Sequence, residues 1–262
     1  MSTRQATFVG MSLAALLLFS VARGGVARGE TVFVADTFLN SNWLASELTD
    51  TTPGDTFVFT ASQQLTGGNL DAYRRLTHRS SSPDSPAVAI NSAHVYQLGS
   101  FDPGEDGTVE SIDFSWEGIS IASTAGAVGY GALVVQDGVY YAAPGDQVLN
   151  DAGWQAFSFP GLGSSDFVGV VGGVIDNSLH PDFSDAGSPI QFGFYAGNGT
   201  FGESFNEGGV DNWAVLVHLV APVPEPSSLT ILAVGLMVCA GRLLTHRRAE
   251  SLREGSGKGG AR

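Results

Sequence analysis

Cysteine is almost missing from this chain. Cys239 is the single one among 262 residues, and it lies in an apolar stretch near the C-terminus. Disulfides therefore cannot staple the remainder, and packing must hold the fold. Lysine is as scarce. Between residues 31 and 221 the basic side chains are Arg74, Arg75 and Arg79, set against 22 Asp and Glu, a formal charge of −19 with histidine neutral. That charge repels nucleic acid and anionic membrane surfaces, which argues against both as partners of this segment. It leaves oxygen ligands for a hard cation such as Ca²⁺. Helical periodicity is lacking as well. Leu65 to Leu76 would allow a turn of helix, but Gly67-Gly68 argues against a longer one.

Signatures of catalysis are missing too. There is no Gly-x-Ser-x-Gly elbow. His78, His94, His180 and His218 are scattered without zinc spacing. Gly126 to Gly131 sits between strand patterns and not before a helix, so it makes no phosphate cradle. Asp102-Pro-Gly-Glu105-Asp106-Gly107 starts like a Ca²⁺ loop but has Gly104 where an EF-type loop wants an acid or Asn, and reads as an acidic turn.

What the middle does have is alternation with period two. Ser111-Ile112-Asp113-Phe114-Ser115-Trp116-Glu117 places Ile112, Phe114 and Trp116 on one face, and the segments at 190–194 and 213–219 repeat the pattern. Shorter strands are expected at 32–35, 56–60, 94–98, 155–159 and 167–171. A hairpin is expected at 132–136 and 139–142 around Asp137-Gly138, a pair suited to a type I′ turn. Many short strands between Gly-, Asp- and Pro-containing loops predict an all-β domain over residues 30–221, a jelly-roll-type β-sandwich of ten to twelve strands. No repeat of 20 to 50 residues points to a solenoid or propeller.

The ends read as addresses. Arg4 precedes an apolar run at 8–22 centred on Leu16-Leu17-Leu18-Phe19, followed by small residues, the pattern of a signal peptide over 1–29 cut by signal peptidase. At the other end Pro224-Glu225-Pro226 leads into an apolar stretch closed by Arg242, Arg247 and Arg248. A transmembrane helix at 229–244 is short for a span, but Arg242 near its end can snorkel, and the basic side predicts a cytoplasmic C-terminus. This order of parts over 222–248 resembles a PEP-CTERM sorting signal. The resemblance implies an exported bacterial protein held briefly in the inner membrane. An exosortase-type transpeptidase would then cleave it near Pro224, Glu225 and Pro226 and pass it to the cell surface or extracellular matrix. A Gly-rich polar tail at 249–262 follows, where members of that family usually stop.

Ala35-Asp36-Thr37-Phe38 and Gly209-Val210-Asp211-Asn212-Trp213 resemble the first and last strands of concanavalin-like or laminin-G-like sandwiches. That resemblance implies terminal strands lying side by side in a lectin-like domain, and leaves open a glycan ligand, a protein ligand or none. Asp36 and Asp211 would then share a structural Ca²⁺, the one cofactor the residues allow for; a turn into the last strand is the plainer role for Asp211. Trp43 and Trp154, beside Asn42 and Gly153, are the tryptophans expected at the surface to stack on sugars, while Trp116 and Trp213 belong to the core. Arg74 and Arg75 offer forks for acidic polysaccharide, or local balance for Asp71 and Asp84. Glu110, Asp113 and Glu117 resemble the acidic strand of laminarinase-type glycosidases, but gaps of three and four residues break the alternate spacing that chemistry needs. The sequence therefore reads as a non-enzymatic surface or matrix protein that binds extracellular polysaccharide. The alternatives are a divergent glycoside hydrolase of that fold and a purely structural adhesive module.

Overall fold

The computed structural model describes residues 30–35, 37–48, 57–69, 71–80, 92–172, 174–197 and 203–221. The signal segment, Pro224, Glu225, Pro226, the helix expected at 229–244, and Asp36 lie outside the described residues. Among the described residues no helix is long and apolar enough to cross a membrane. Arg28–Val220 is a compact unit by its own contacts.

That unit is a two-sheet β-sandwich. Its strands are β1 (Glu30–Ala35), β2 (Trp43–Glu47), β3 (Phe57–Gln64), β4 (Tyr73–Ser80), β5 (Ser92–Tyr96), β6 (Val109–Ser123), β7 (Ala127–Gln136), β8 (Val139–Leu149), β9 (Gln155–Leu162), β10 (Val168–Val171), β11 (Val174–Asp176), β12 (Ile190–Gly197) and β13 (Ser204–Leu219). A six-stranded sheet runs β3-β4-β13-β6-β9 with β1 also on β13, and a seven-stranded sheet runs β11-β10-β8-β7-β12-β5-β2. The chain crosses repeatedly between the sheets, as in a jelly roll. The first and last strands pair antiparallel, Ala35 opposite Trp213, as expected for terminal strands that lie together.

The alternation of the sequence is the cause of the layers. Ile112, Phe114 and Trp116 on β6, Ile190, Phe192 and Phe194 on β12, and Trp213, Val215 and Val217 on β13 all turn inward and are buried. They merge into one core between the sheets. Each such side chain contributes roughly 1.5–3 kcal/mol by leaving water. Tyr130 on β7 crosses that core and ends inside the opposite sheet, where its hydroxyl donates to the Ile119 carbonyl at 2.6 Å and accepts from Gly209 N at 3.0 Å. Gly208 makes the room, since a Cβ there would lie 2.1 Å from the hydroxyl.

Several expectations need amendment. β2, β4 and β11 are strands where none is expected. β4 covers the basic cluster, and the stretch offered as a helical turn, Leu65 to Leu76, instead bends and enters β4. A register shift between His218 and Leu219 of β13 marks a bulge in β6, and Glu110 is exposed there. The Asp137-Gly138 turn has both residues at positive φ, 53° and 76°, as a type I′ hairpin requires.

Candidate functional site

The four candidate glycan contacts separate into two pairs. Trp43 and Arg74 are in the core and not at the surface, a correction to the expectation for both. Trp43 is 5% exposed, stacked on Phe38 at 5.6 Å and edge-on to Trp213 at 5.2 Å. Arg74, 2% exposed, places its guanidinium 5.6 Å from the Trp43 ring centre. Both side chains turn from their strands into the space between the sheets, so neither reaches a polysaccharide. Trp154 and Arg75 do share the outer face of the six-stranded sheet. Trp154 is half-buried, meets Tyr73 edge-on at 5.4 Å, and donates its indole N–H to the Gly67 carbonyl at 3.3 Å. Tyr73 lies flat over Gly209, where a Cβ would come within 2.5 Å of its ring. Arg75 pairs with Glu207 at 2.7 Å, so its guanidinium already has a carboxylate. Glu207 is the carboxylate on Arg75 among the described residues; Asp84, offered as a balancing charge, lies outside them.

The acidic residues are likewise engaged. Asp113 and Glu117 share the outer face of β6 but stand four residues apart, about 13 Å, beyond the reach of a glycosidase pair. Asp113 accepts from Gly161 N at 2.6 Å and pairs with His218 at 2.9 Å. The His218 hydrogen bond and that N–H hold its carboxyl below the usual range, although burial opposes them. Glu117 lies opposite Asp211 in register. Such a pair is close enough for two-carboxylate chemistry, but its oxygens are occupied. Asn69 Nδ2 bonds both Glu117 oxygens at 2.7 and 2.8 Å, and Asn212 Nδ2 adds a third bond at 2.7 Å. The backbone N–H groups of Asn69 and Asn212 take the Asp211 oxygens at 2.7 Å each. This network clamps the loop before β4 onto the sheet. Among the described residues no group of three or more His, Cys, Asp or Glu is placed to hold a metal. The Asp102 stretch forms one helical turn, α1 (Pro103–Asp106), capped by Asp102 on Gly104 N at 2.9 Å.

The seven-stranded sheet is different in shape. β8 and β2 stand four strand positions apart, about 19 Å in a flat sheet. Yet Tyr140 on β8 reaches Ser46 on β2 with a 3.1 Å hydrogen bond. The sheet must therefore curl, concave on its outer face. Much of that concavity is filled. Leu48, Ala93, Val95, Leu133, Val135, Ala142, Val170 and Tyr195 form a second buried cluster on it. Beside Tyr195 an open cleft of about 310 Å³ remains, lined by Gly129, Tyr130, Gly145, Asp146, Gln147 and Tyr195.

Three glycines and a bulge build that cleft. A Cβ at Gly131 would sit 2.3 Å from the Tyr195 ring, and one at Gly145 would sit 2.5 Å from its hydroxyl. The β7–β8 register shifts between Gly131 and Leu133. Gly129, on the same face, leaves the floor open. Burial pushes the Tyr195 phenol up to about 12, so it remains an O–H able to donate and accept. Gln147, opposite Gly129 in register, is exposed beside it, whereas Asp146 stands opposite Tyr130 and so turns to the other face of the sheet, accepting from Gln147 N at 2.8 Å. The cleft thus offers the Tyr195 hydroxyl and the Gln147 carboxamide, with no cation among its lining residues. Sequence reasoning missed it because the expected strand stopped at Ala142, whereas β8 continues through Pro144-Gly145 to Leu149. Glycines at 129, 131 and 145 facing a tyrosine were the available signal.

No family model matches the chain, and no curated protein matches it. Solved structures resemble it distantly. The Family 11 Carbohydrate-Binding Module from Clostridium thermocellum is 12% identical at a TM-score of 0.37, covering 72% of this chain and 96% of that one. The CBM22-1 xylan-binding domain from Paenibacillus barcinonensis Xyn10C is 10% identical at 0.35, covering 68% and 95%. The xylan-binding module CBM15 is 12% identical at 0.38, covering 74% and all of that chain. At such identities and scores the likeness leaves the ligand of this chain open.

Proposed function

We propose that residues 30–221 form a non-catalytic polysaccharide-binding domain, and that the protein is exported and sorted to the cell surface or matrix through residues 222–248. The cleft at Tyr195 carries the binding reading. A phenol O–H and a carboxamide converging on one concavity suit a ligand dense in hydroxyl groups. The lack of a cation among its lining residues, and the pairing of Arg75 with Glu207, turn the reading away from the acidic chains that free arginine forks would favour and toward neutral sugars.

The test is a glycan array with neutral, amine-bearing and uronic-acid polysaccharides, followed by titration of the best ligand. Replacing Tyr195 by Phe and Gln147 by Ala together should weaken binding at least tenfold, since each lost hydrogen bond to the sugar is worth about 1 kcal/mol or more. Silence across the array sinks the proposal. Unchanged binding in that variant, with loss on Trp154→Ala, moves the site to the opposite sheet.

A further inference from the structure

Sandwich interiors are mostly apolar, but here a line of polar side chains crosses from one sheet to the other. Arg74 and His78 come from β4, Ser92 and His94 from β5, and all four are no more than 2% exposed. Arg74 Nε donates to His94 Nδ1 at 3.2 Å. His94 Nε2 lies 2.9 Å from Ser92 Oγ, and Ser92 Oγ lies 2.7 Å from His78 Nε2.

The proton positions follow from what each group can do. Arginine only donates, so His94 Nδ1 must be bare. A neutral imidazole then carries its proton on Nε2, and His94 donates to Ser92. Ser92 has one O–H, and the arrangement that spends it within the line sends it to His78 Nε2. His78 therefore holds its proton on Nδ1, and that atom has no partner, nor has Arg74 Nη1. The line runs in one direction from cation to orphaned N–H. A buried polar network in this half-satisfied state fails readily when one member changes.

Acid changes a member. A proton on His94 Nδ1 would confront the Arg74 guanidinium. A proton on His78 Nε2 converts an acceptor into a donor, aims two N–H groups at Ser92, and orphans the serine O–H. The surroundings do not compensate. Phe57 of β3 stacks on His78 at 5.7 Å with Phe59 at 6.5 Å, and Phe194 of β12 stacks on His94 at 4.6 Å. Trp43 of β2 lies against Arg74. Asn206 of β13 stands opposite His78 with its own Nδ2 unpartnered. The charged or titratable groups acting on His94 are Arg74 and His78. Burial draws His78 down to about 3 and, with Arg74 and His78 adding to it, draws His94 well below its ordinary value.

We propose that the Arg74–His94–Ser92–His78 line is an acid-released joint between the two sheets, opened by proton uptake at His78. Neutral, it ties β4 to β5. Above about pH 6.5 both closed and opened chains hold neutral imidazoles, and the joint contributes fully. Below that, the opened chain takes up protons that the closed one refuses, so stability is lost as pH falls from about 6.5 toward 3. Between pH 7 and 5 each such histidine shifts the closed-to-open ratio about 25-fold, and the two together about 600-fold.

The experiment is unfolding of the full-length protein by urea at pH 7, 6 and 5, a window above the carboxylates, followed by tryptophan fluorescence. His78→Phe keeps the aromatic stack on Phe57. It should remove about 25-fold of the pH dependence; a dependence equal to that of the unsubstituted protein overturns the proposal. Imidazole ¹⁵N NMR on the unsubstituted protein decides independently of whether the variant folds. The expected state at pH 5 is neutral, with the proton on Nδ1 in His78 and on Nε2 in His94. A cationic His78 in a protein still folded at pH 5 overturns it as well.

Discussion

Gly131 decides where Tyr195 sits. The ring lies where a Cβ at position 131 would be, 2.3 Å from ring carbons, and the neighbouring Gly145 is closed off by both the hydroxyl and the Tyr130 carbonyl. Neither the ring nor the bulged backbone can give by that much without leaving its place. Gly131→Ala is therefore expected to cost about 1–3 kcal/mol as overpacking. It should also weaken sugar binding in the cleft at least tenfold, because the phenol is displaced. Urea unfolding and ligand titration on the same variant check both; unchanged binding would mean that Tyr195 does not shape the site. Tryptophan shows why single residues were unevenly legible. Trp116 and Trp213 sit in clean alternation, and that pattern by itself assigns them to the core. Trp43 opens the five-residue strand Trp-Leu-Ala-Ser-Glu, in which both faces carry an apolar residue. Trp43 is buried there while Leu44 is 50% exposed, and composition alone could not choose between them.

Strands were legible where one face is apolar and the other polar. β6, β12 and β13 carry that pattern, and the β7–β8 hairpin adds turn chemistry to it. β4 hid because its inward residues are Arg74, Leu76 and His78: the period is two, but two of the three inward side chains are polar, so hydrophobicity does not oscillate. The same polar interior that masks the strand supplies the joint to β5. β11 is three residues long and exposed at a sheet edge, too short for any periodicity. The hairpin allows a clean test of turn chemistry. Gly138 has φ of 76° and nothing within 4 Å of a built Cβ, so a substitution there meets backbone strain alone. Gly138→Val should lower stability by about 1–2 kcal/mol, the cost of an L side chain in the left-handed region. The fold should stay the same by circular dichroism. A loss well beyond that range would mean that the turn is packed by something other than itself.

At the scale of the whole molecule, the proposed function puts two independent messages on one chain. The acidic, cysteine-free sandwich is set by alternation and packing, and Arg28–Val220 is a compact unit by its own contacts. The proposed sorting message is set by the order Pro-Glu-Pro, apolar stretch, arginines, and it needs no contact with the sandwich to be read by a membrane enzyme. If that division is right, damage to the message should leave the domain untouched. Changing Pro224 and Glu225 together to Ala removes the rigid break and its charge but adds no polar residue to the apolar stretch at 229–244. In a bacterium that carries an exosortase-type transpeptidase, the variant should be exported and should unfold at the same urea concentration as the unsubstituted protein. It should remain in the membrane fraction, with release to the surface or medium down at least tenfold. Fractionation with immunoblotting reads the location, and the size of the retained band reports whether the tail is still attached. Release at the normal level and size would refute sorting through Pro224, Glu225 and Pro226. A retained but destabilised domain would refute the independence of the two messages.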